Sequence, residues 1–208
     1  MKKVLAIFAH PDDEIIWGWS ALQYPDLERH IIIVSDNHTG YSGRARAALD
    51  EVCTAIGTRS MICMNWPSEF YRLPTRYDTL TLPMLTQQLI ETIKSRIAEI
   101  KPDFIITHNP FGEYGHGDHR YIFNVVSSFI KHPCILYTDA CQMNKCHLSF
   151  DKIPQSIKCA YFTESKYVDE YKLNKEWFNP LKEIYKKHRA WSWGSPHVVP
   201  EKVGVYVL

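Results

Sequence analysis

The sequence has no excess of charge of either sign. Lys and Arg number 24 against 23 Asp and Glu, a formal net charge of +1. That balance excludes a nucleic-acid binder working through bulk charge, because such proteins cover a run of phosphates with surplus Lys and Arg. It leaves room only for a local basic patch. Low charge together with 45% hydrophobic and 13% aromatic residues excludes disorder over most of the chain. No apolar run approaches the roughly 20 residues needed to span a bilayer. The first apolar stretch, Val4 to Ala9, is too short for a secretory h-region with its cleavage site. The six cysteines, at 53, 63, 134, 141, 146 and 159, form no C-x-x-C pair. They read as free packing thiols of an intracellular, cytoplasmic protein. G-x-G-x-x-G is missing after the first apolar run, and the acids standing there would repel a pyrophosphate. A Rossmann-type nucleotide binder is thereby disfavoured. There is no repeat and no low-complexity tract, so 1–208 reads as a single domain.

What is present is a series of short apolar runs ending in polar residues. Val4–Ala9, Ile31–Asp36, Met61–Met64, Phe104–His108 and Cys134–Thr138 are five such runs, with Lys158–Phe162 and Val203–Leu208 as later candidates. They are continuously apolar rather than alternating, as strands buried on both faces of a parallel sheet are. Helical patterns fill 43–56, 82–100, 116–129 and 175–189; Leu85, Leu89, Ile93, Ile97 and Ile100 share one face of the second. The stretches 65–83 and 140–154 read as irregular. Alternation of strand and helix predicts an α/β, Rossmann-like three-layer sandwich. Its sheet should be mostly parallel, of order 3-2-1-4-5 with extra edge strands.

Two polar clusters follow the first and fourth runs. The first is His10-Pro11-Asp12-Asp13-Glu14; the second is His108-Asn109-Pro110, leading to His116-Gly117-Asp118-His119. Helix capping explains one or two of the acids, since Asp at an N-cap and Glu in a first turn are both favourable. It does not explain the adjacent histidines. In a 3-2-1-4-5 sheet the first and fourth strands are neighbours, and the crevice at their carboxyl ends is the ligand site. Both clusters belong to that crevice. Imidazole nitrogens with a carboxylate suit a zinc ion that keeps an open position for water. A further carboxylate outside the ligand set can take the water's proton. These are the parts of a hydrolase.

The same residues closely resemble the PIG-L/LmbE-like family of zinc-dependent N-deacetylases. The match rests on A-H-P-D-D-E at 9–14 and T-H-N-P-F-G-E-Y-G-H-G-D-H-R at 107–120, with Thr39-Gly40, Arg44, Arg46 and Ile56-Gly57 in support. The resemblance implies His10, Asp13 and His119 as zinc ligands and Asp12 as general base. It implies His116 as the residue that stabilises the transition state or protonates the leaving amine. Tyr114 is implied near the oxyanion, and Asp118 as a carboxylate orienting a histidine. Three positions depart from the family pattern. Gly117 stands where Pro is usual, Asp50 and Glu51 are the nearest acids after the arginine segment, and His188-Arg189-Ala190-Trp191 replaces a late H-x-S-Q. The implied cofactor is one Zn²⁺, with other divalent metals as substitutes. The implied substrate is a small N-acetylated amino sugar or conjugate of the GlcNAc type. The alternatives are a hydrolase of another acylamide or ester, and a carbohydrate-binding protein with a vestigial site. Trp66, Phe70, Tyr71, Tyr77, Trp191 and Trp193 are candidate stacking rings, each also readable as packing. Arg44, Arg46, Arg72 and Arg76 are candidate contacts to a substrate phosphate or carboxylate. An oligomer is compatible with the sequence.

Overall fold

The computed structural model describes residues 1–37, 42–70, 81–140, 166–193 and 198–208. Five parallel strands come first: β1 (Lys2–Phe8), β2 (Leu27–Asn37), β3 (Thr58–Pro67), β4 (Phe104–Thr107) and β5 (Ile135–Thr138). β6 (Lys166–Lys172) and β7 (Lys202–Val207) are added antiparallel, and the sheet order is β3-β2-β1-β4-β5-β7-β6. This is the expected 3-2-1-4-5 core with its edge strands. β6 carries no apolar run because nearly all of it is exposed, which is why the sequence does not announce it. The candidate strand Lys158–Phe162 lies outside the described residues.

β1 shows why the fold has three layers. Successive side chains of a strand point to opposite faces. Val4, Ala6 and Phe8 enter one core, while Leu5, Ile7 and Ala9 enter the other. The first core is closed by α1 (Asp13–Ile16), α2 (Trp19–Leu22), α3 (Ser42–Ala55) and α7 (Lys175–Lys187). The second is closed by α4 (Thr81–Ile100) and α6 (Gly117–Phe129), through Leu89, Ile93, Ile122 and Val126. Each such side chain contributes about 1.5–3 kcal/mol on burial. Between β4 and α6 lies a single helical turn, α5 (Gly112–Gly115).

The junction of α1 and α2 rests directly on β1. A Cβ at Gly18 would stand 2.6 Å from the Glu14 carbonyl oxygen and 2.7 Å from the Phe8 ring, so only glycine fits. At the opposite end of the sheet, buried Arg29 donates to the carbonyls of Leu22, Tyr24, Leu27 and Ile56. It ties the ends of α2 and α3 to β2. The carboxyl ends of β1 and β4 thus sit side by side above a rigid frame. No described helix is long and apolar enough to cross a membrane.

Candidate active site

β1 leaves the sheet at Ala9, whose N–H donates to His108 Nε2 at 2.9 Å. The chain then turns tightly. Asp13 Oδ2 accepts the His10 N–H at 2.8 Å. Asp12 sits at the N-cap of α1 with φ 91°, in the left-handed region, and its side chain makes no capping hydrogen bond. Its carboxylate instead accepts from the Ser192 hydroxyl at 2.6 Å and the Ser192 N–H at 3.3 Å. Glu14, the third acid, accepts from Tyr185 Oη at 2.6 Å and from the Asp12 N–H at 3.0 Å. Glu14 returns to the N-cap N–H from the first turn of α1, as a capping acid does, but the Asp12 side chain caps nothing.

After β4 the chain folds around Asn109, whose Oδ1 accepts from Phe111 and Glu113 N–H groups and whose Nδ2 donates to the Ala140 carbonyl. Glu113 adopts φ 54°. It is fully enclosed, and its Oε2 meets His119 Nδ1 at 2.7 Å and His108 Nδ1 at 3.1 Å. The two rings stack at 3.8 Å. With Nδ1–H donated to Glu113, His119 Nε2 carries a bare lone pair. That atom is buried without a hydrogen-bond partner among the described residues. It faces Asp13 Oδ2 at 3.4 Å. His10 approaches the same oxygen: Nε2 is 2.9 Å from Asp118 Oδ2, and Nδ1 lies 3.4 Å from Asp13 Oδ2.

The bare Nε2 of His119 facing a carboxylate oxygen, with His10 Nδ1 directed at the same oxygen, calls for a cation between them. Donor atoms of His10, His116 and His119 lie within 4.8 Å of one another, and so do those of Asp13, His108 and His119. His108 is the poorer donor, because its Nε2 already accepts the Ala9 N–H. Burial opposes charge on His108 while Glu113 and Asp13 press it towards the charged form, but that hydrogen bond requires a lone pair, and the geometry supports the neutral ring. The donor set therefore fits a divalent metal.

Electrostatics separate the acids. Burial, with Asp13 beside it, pushes Asp12 up to about 7, against the Ser192 hydrogen bonds. Asp13 is driven well below the usual carboxylate range: burial opposes this, but the surrounding histidines prevail. Burial pushes Glu14 up to about 8. Burial also opposes charge on His10, yet the Asp118 and Asp13 carboxylates outweigh it and raise the ring to about 10. His116 is lowered, by burial and by His119 and His10. Its Nδ1 accepts the Asp118 N–H at 3.2 Å as the N-cap of α6, so the proton of the neutral ring is on Nε2.

A cavity of about 310 Å³ opens over this centre, lined by His10, Asp12, Asp13, Tyr114, His116 and Trp191 among others. The family model for PIG-L, described as GlcNAc-PI de-N-acetylase, matches residues 5–130. The chain belongs to the PIG-L family. A comparison with curated proteins finds no sequence match. Solved structures share the fold. An N,N'-diacetylchitobiose deacetylase from Pyrococcus horikoshii aligns with TM-score 0.56 at 16% identity, covering 91% of this chain and 70% of its own. A deacetylase of teicoplanin biosynthesis aligns with TM-score 0.66 at 12% identity, covering 100% and 98%. The zinc-inhibited form of teicoplanin deacetylase Orf2 aligns with TM-score 0.65 at 11% identity, covering 99% and 97%. Membership of the PIG-L family supports N-deacetylase chemistry for the chain, and the solved deacetylases show the shared fold.

Set against the PIG-L motifs, the structure brings His10, Asp12, Asp13, Tyr114, His116, Asp118 and His119 together at one centre. Gly117 occupies the first position of α6, where proline is also favoured, so that departure leaves the turn intact. The other two departures meet each other: Glu51 accepts from His188 Nε2 at 2.8 Å and Lys187 Nζ at 2.7 Å. Arg44 is exposed on α3, and Arg46 pairs with Asp50 at 3.1 Å. Only Ala45 of that segment lines the cavity. Trp66 and Phe70 are not sugar platforms; they are a buried edge-to-face pair, 5.2 Å apart, in the second core. Arg72, Arg76, Tyr71, Tyr77 and Thr39-Gly40 lie outside the described residues. Sequence reading missed the roles of His108 and Glu113, although both stand inside the quoted motif. It also missed Tyr185 and Ser192, for which sequence offers no signal at a separation of 171–180 residues.

Proposed function

We propose that the chain is a metal-dependent hydrolase that removes the N-acetyl group from an amino sugar of the N-acetylglucosamine type. The observation that carries this is the bare, buried Nε2 of His119 facing Asp13 Oδ2 at 3.4 Å, with Asp12 beside them on the cavity wall. His10 through Nδ1, Asp13 through Oδ2 and His119 through Nε2 would hold one divalent ion, zinc by preference for an N,N,O set. When bound, the ion supplies Lewis-acid activation of a water and of the amide carbonyl. Asp118 and Glu113 orient the two ligand rings. Asp12 accepts the water's proton as oxygen adds to the acetyl carbon. His116 Nε2–H, with Tyr114 beside it at 5.5 Å between ring centroids, donates to the developing oxyanion. The C–N bond then breaks, Asp12 returns the proton to the amine, and acetate and the free amino sugar leave. Trp191 offers a wall for the pyranose ring. The whole chain works as one domain, since α7 and the segment after it reach Asp12 and Glu14.

The test joins metal analysis of the purified protein to acetate release from N-acetylglucosamine and its nucleotide- and glycan-linked derivatives. About one equivalent of metal and chelator-sensitive acetate release are expected. Metal-free protein turning over at the same rate overturns the reading.

A further inference from the structure

The segment that reaches Asp12 comes from far along the chain and is aimed by a helix end. α7 closes at Arg189, which has φ 53°. Its N–H returns to the Lys186 carbonyl at 2.9 Å, and the Ala190 N–H returns to the Tyr185 carbonyl at 2.8 Å. This pair of bonds is the Schellman arrangement, which fixes the exit direction of the chain. It delivers residues 190–193 to the cavity wall. There Ser192 gives both its Oγ–H and its N–H to the same carboxylate oxygen, Asp12 Oδ2. The backbone of Asp12 is held as firmly. Its N–H is shared by Tyr185 Oη at 2.9 Å and Glu14 Oε2 at 3.0 Å, and Tyr185 donates to Glu14 in turn. Asp12 itself has φ 91°, and a left-handed, non-glycine residue persists only where its surroundings over-determine it.

We propose that Ser192 is the positioning residue of Asp12, pinning Oδ2 so that Oδ1 is the atom presented to the attacking water. The proposal rests on Asp12 acting as the base. Oδ1 has no hydrogen-bond partner among the described residues, and the side chain borders the cavity. A carboxylate turns freely about its last bond, so an unpinned Asp12 divides its time between orientations. Two donors on one oxygen remove that freedom. Tyr185 and Glu14 set the backbone from which the carboxylate projects, and all three contacts come from outside the metal-binding set.

A double-mutant cycle tests this. Ser192→Ala should lower kcat about 10- to 100-fold, the worth of a hydrogen bond to a charged group, with KM and metal content within about two-fold of wild type. Ser192→Thr, which keeps the hydroxyl, should recover most of the loss. Asp12→Asn/Ser192→Ala should be no slower than Asp12→Asn alone, because a residue acting through Asp12 has nothing left to position. Independent, multiplying losses in the double variant overturn the proposal. So does a raised KM with unchanged kcat, which makes Ser192 a sugar contact. Wild-type turnover by Ser192→Ala beside a crippled Asp12→Asn sinks the Ser192 assignment alone. Wild-type turnover by Asp12→Asn sinks the base reading itself, and the positioning role with it.

Discussion

At the scale of single residues, neighbouring acids are made unlike by their surroundings. Asp13 faces histidines and is held ionised; Asp12, one position earlier, is buried against Asp13 and raised to about 7. One is suited to hold a cation and the other to accept a proton. Asp12→Asn should therefore keep the metal and lose turnover by about 10²–10⁴-fold, read as initial rate per bound metal. Metal-replete Asp12→Asn at near wild-type rate would show the residue to be structural. Glu113 acts one step back. It holds Nδ1 of His119 and thereby leaves Nε2 bare. Glu113→Gln should weaken metal affinity about 10- to 100-fold, measured by competition with a chromogenic chelator. Unchanged affinity would mean that packing alone orients the ring. The motif made the metal-site residues conspicuous in the sequence. Asp118 was named there as an orienting carboxylate, but Glu113 was not, because hydrogen-bond direction depends on where each ring turns in three dimensions.

At the scale of elements, helix ends aim the chemistry. Asp12 starts α1 without capping it, His116 caps α6 through Nδ1, and Arg189 closes α7. Sequence periodicity found α3, α4, α6 and α7 within a few residues of their observed bounds. Gly57, with φ 68°, ends α3 as a glycine just past a helix is expected to, but the sequence gave no sign of how the chain leaves α7. Arg189 is exposed and in the left-handed region, where glycine fits at lower cost. Arg189→Gly should stabilise the protein by about 0.5–1 kcal/mol, seen as a rise in Tm of about 1–4 °C, with turnover unchanged. A fall in Tm would show that the arginine side chain itself holds the loop.

At the scale of the whole molecule, the site is a store of buried charge that bears on stability. His10 is raised to about 10 from 6.5, so the stability it contributes is complete below 6.5 and is lost as pH rises towards 10. Glu14 is raised to about 8 from 4.5, so its folded form also favours the proton, and stability falls as pH rises through that window. His116 and His119 are lowered; their contribution grows as pH rises and is complete once the unfolded ring is neutral, just above 6.5. Between pH 7 and 9 the first two act in the same direction. Metal-stripped protein should melt lower at pH 9 than at pH 7 by scanning calorimetry. Zinc should raise Tm more at pH 9, where the ion has fewer protons to displace. A Tm that rises from pH 7 to 9 without metal would contradict the assignment.

The sequence by itself determined the parallel core and the place of the candidate site. Short continuous apolar runs, too short for buried helices and alternating with helical patterns, suit strands buried on both faces of a sheet, and the order of strands and crossovers sets which two carboxyl ends meet. His10, Asp13 and His119 were named as ligand candidates through the motifs this sequence shares with the PIG-L family, at those two ends. Tertiary structure alone decided that Trp66 and Phe70 are core and that the edge strand β6 exists on an exposed, polar segment. It also decided that Ser192 and Tyr185 hold Asp12. Those contacts join residues 173–180 positions apart, and nothing in local pattern records which distant hydroxyl a folded carboxylate will find.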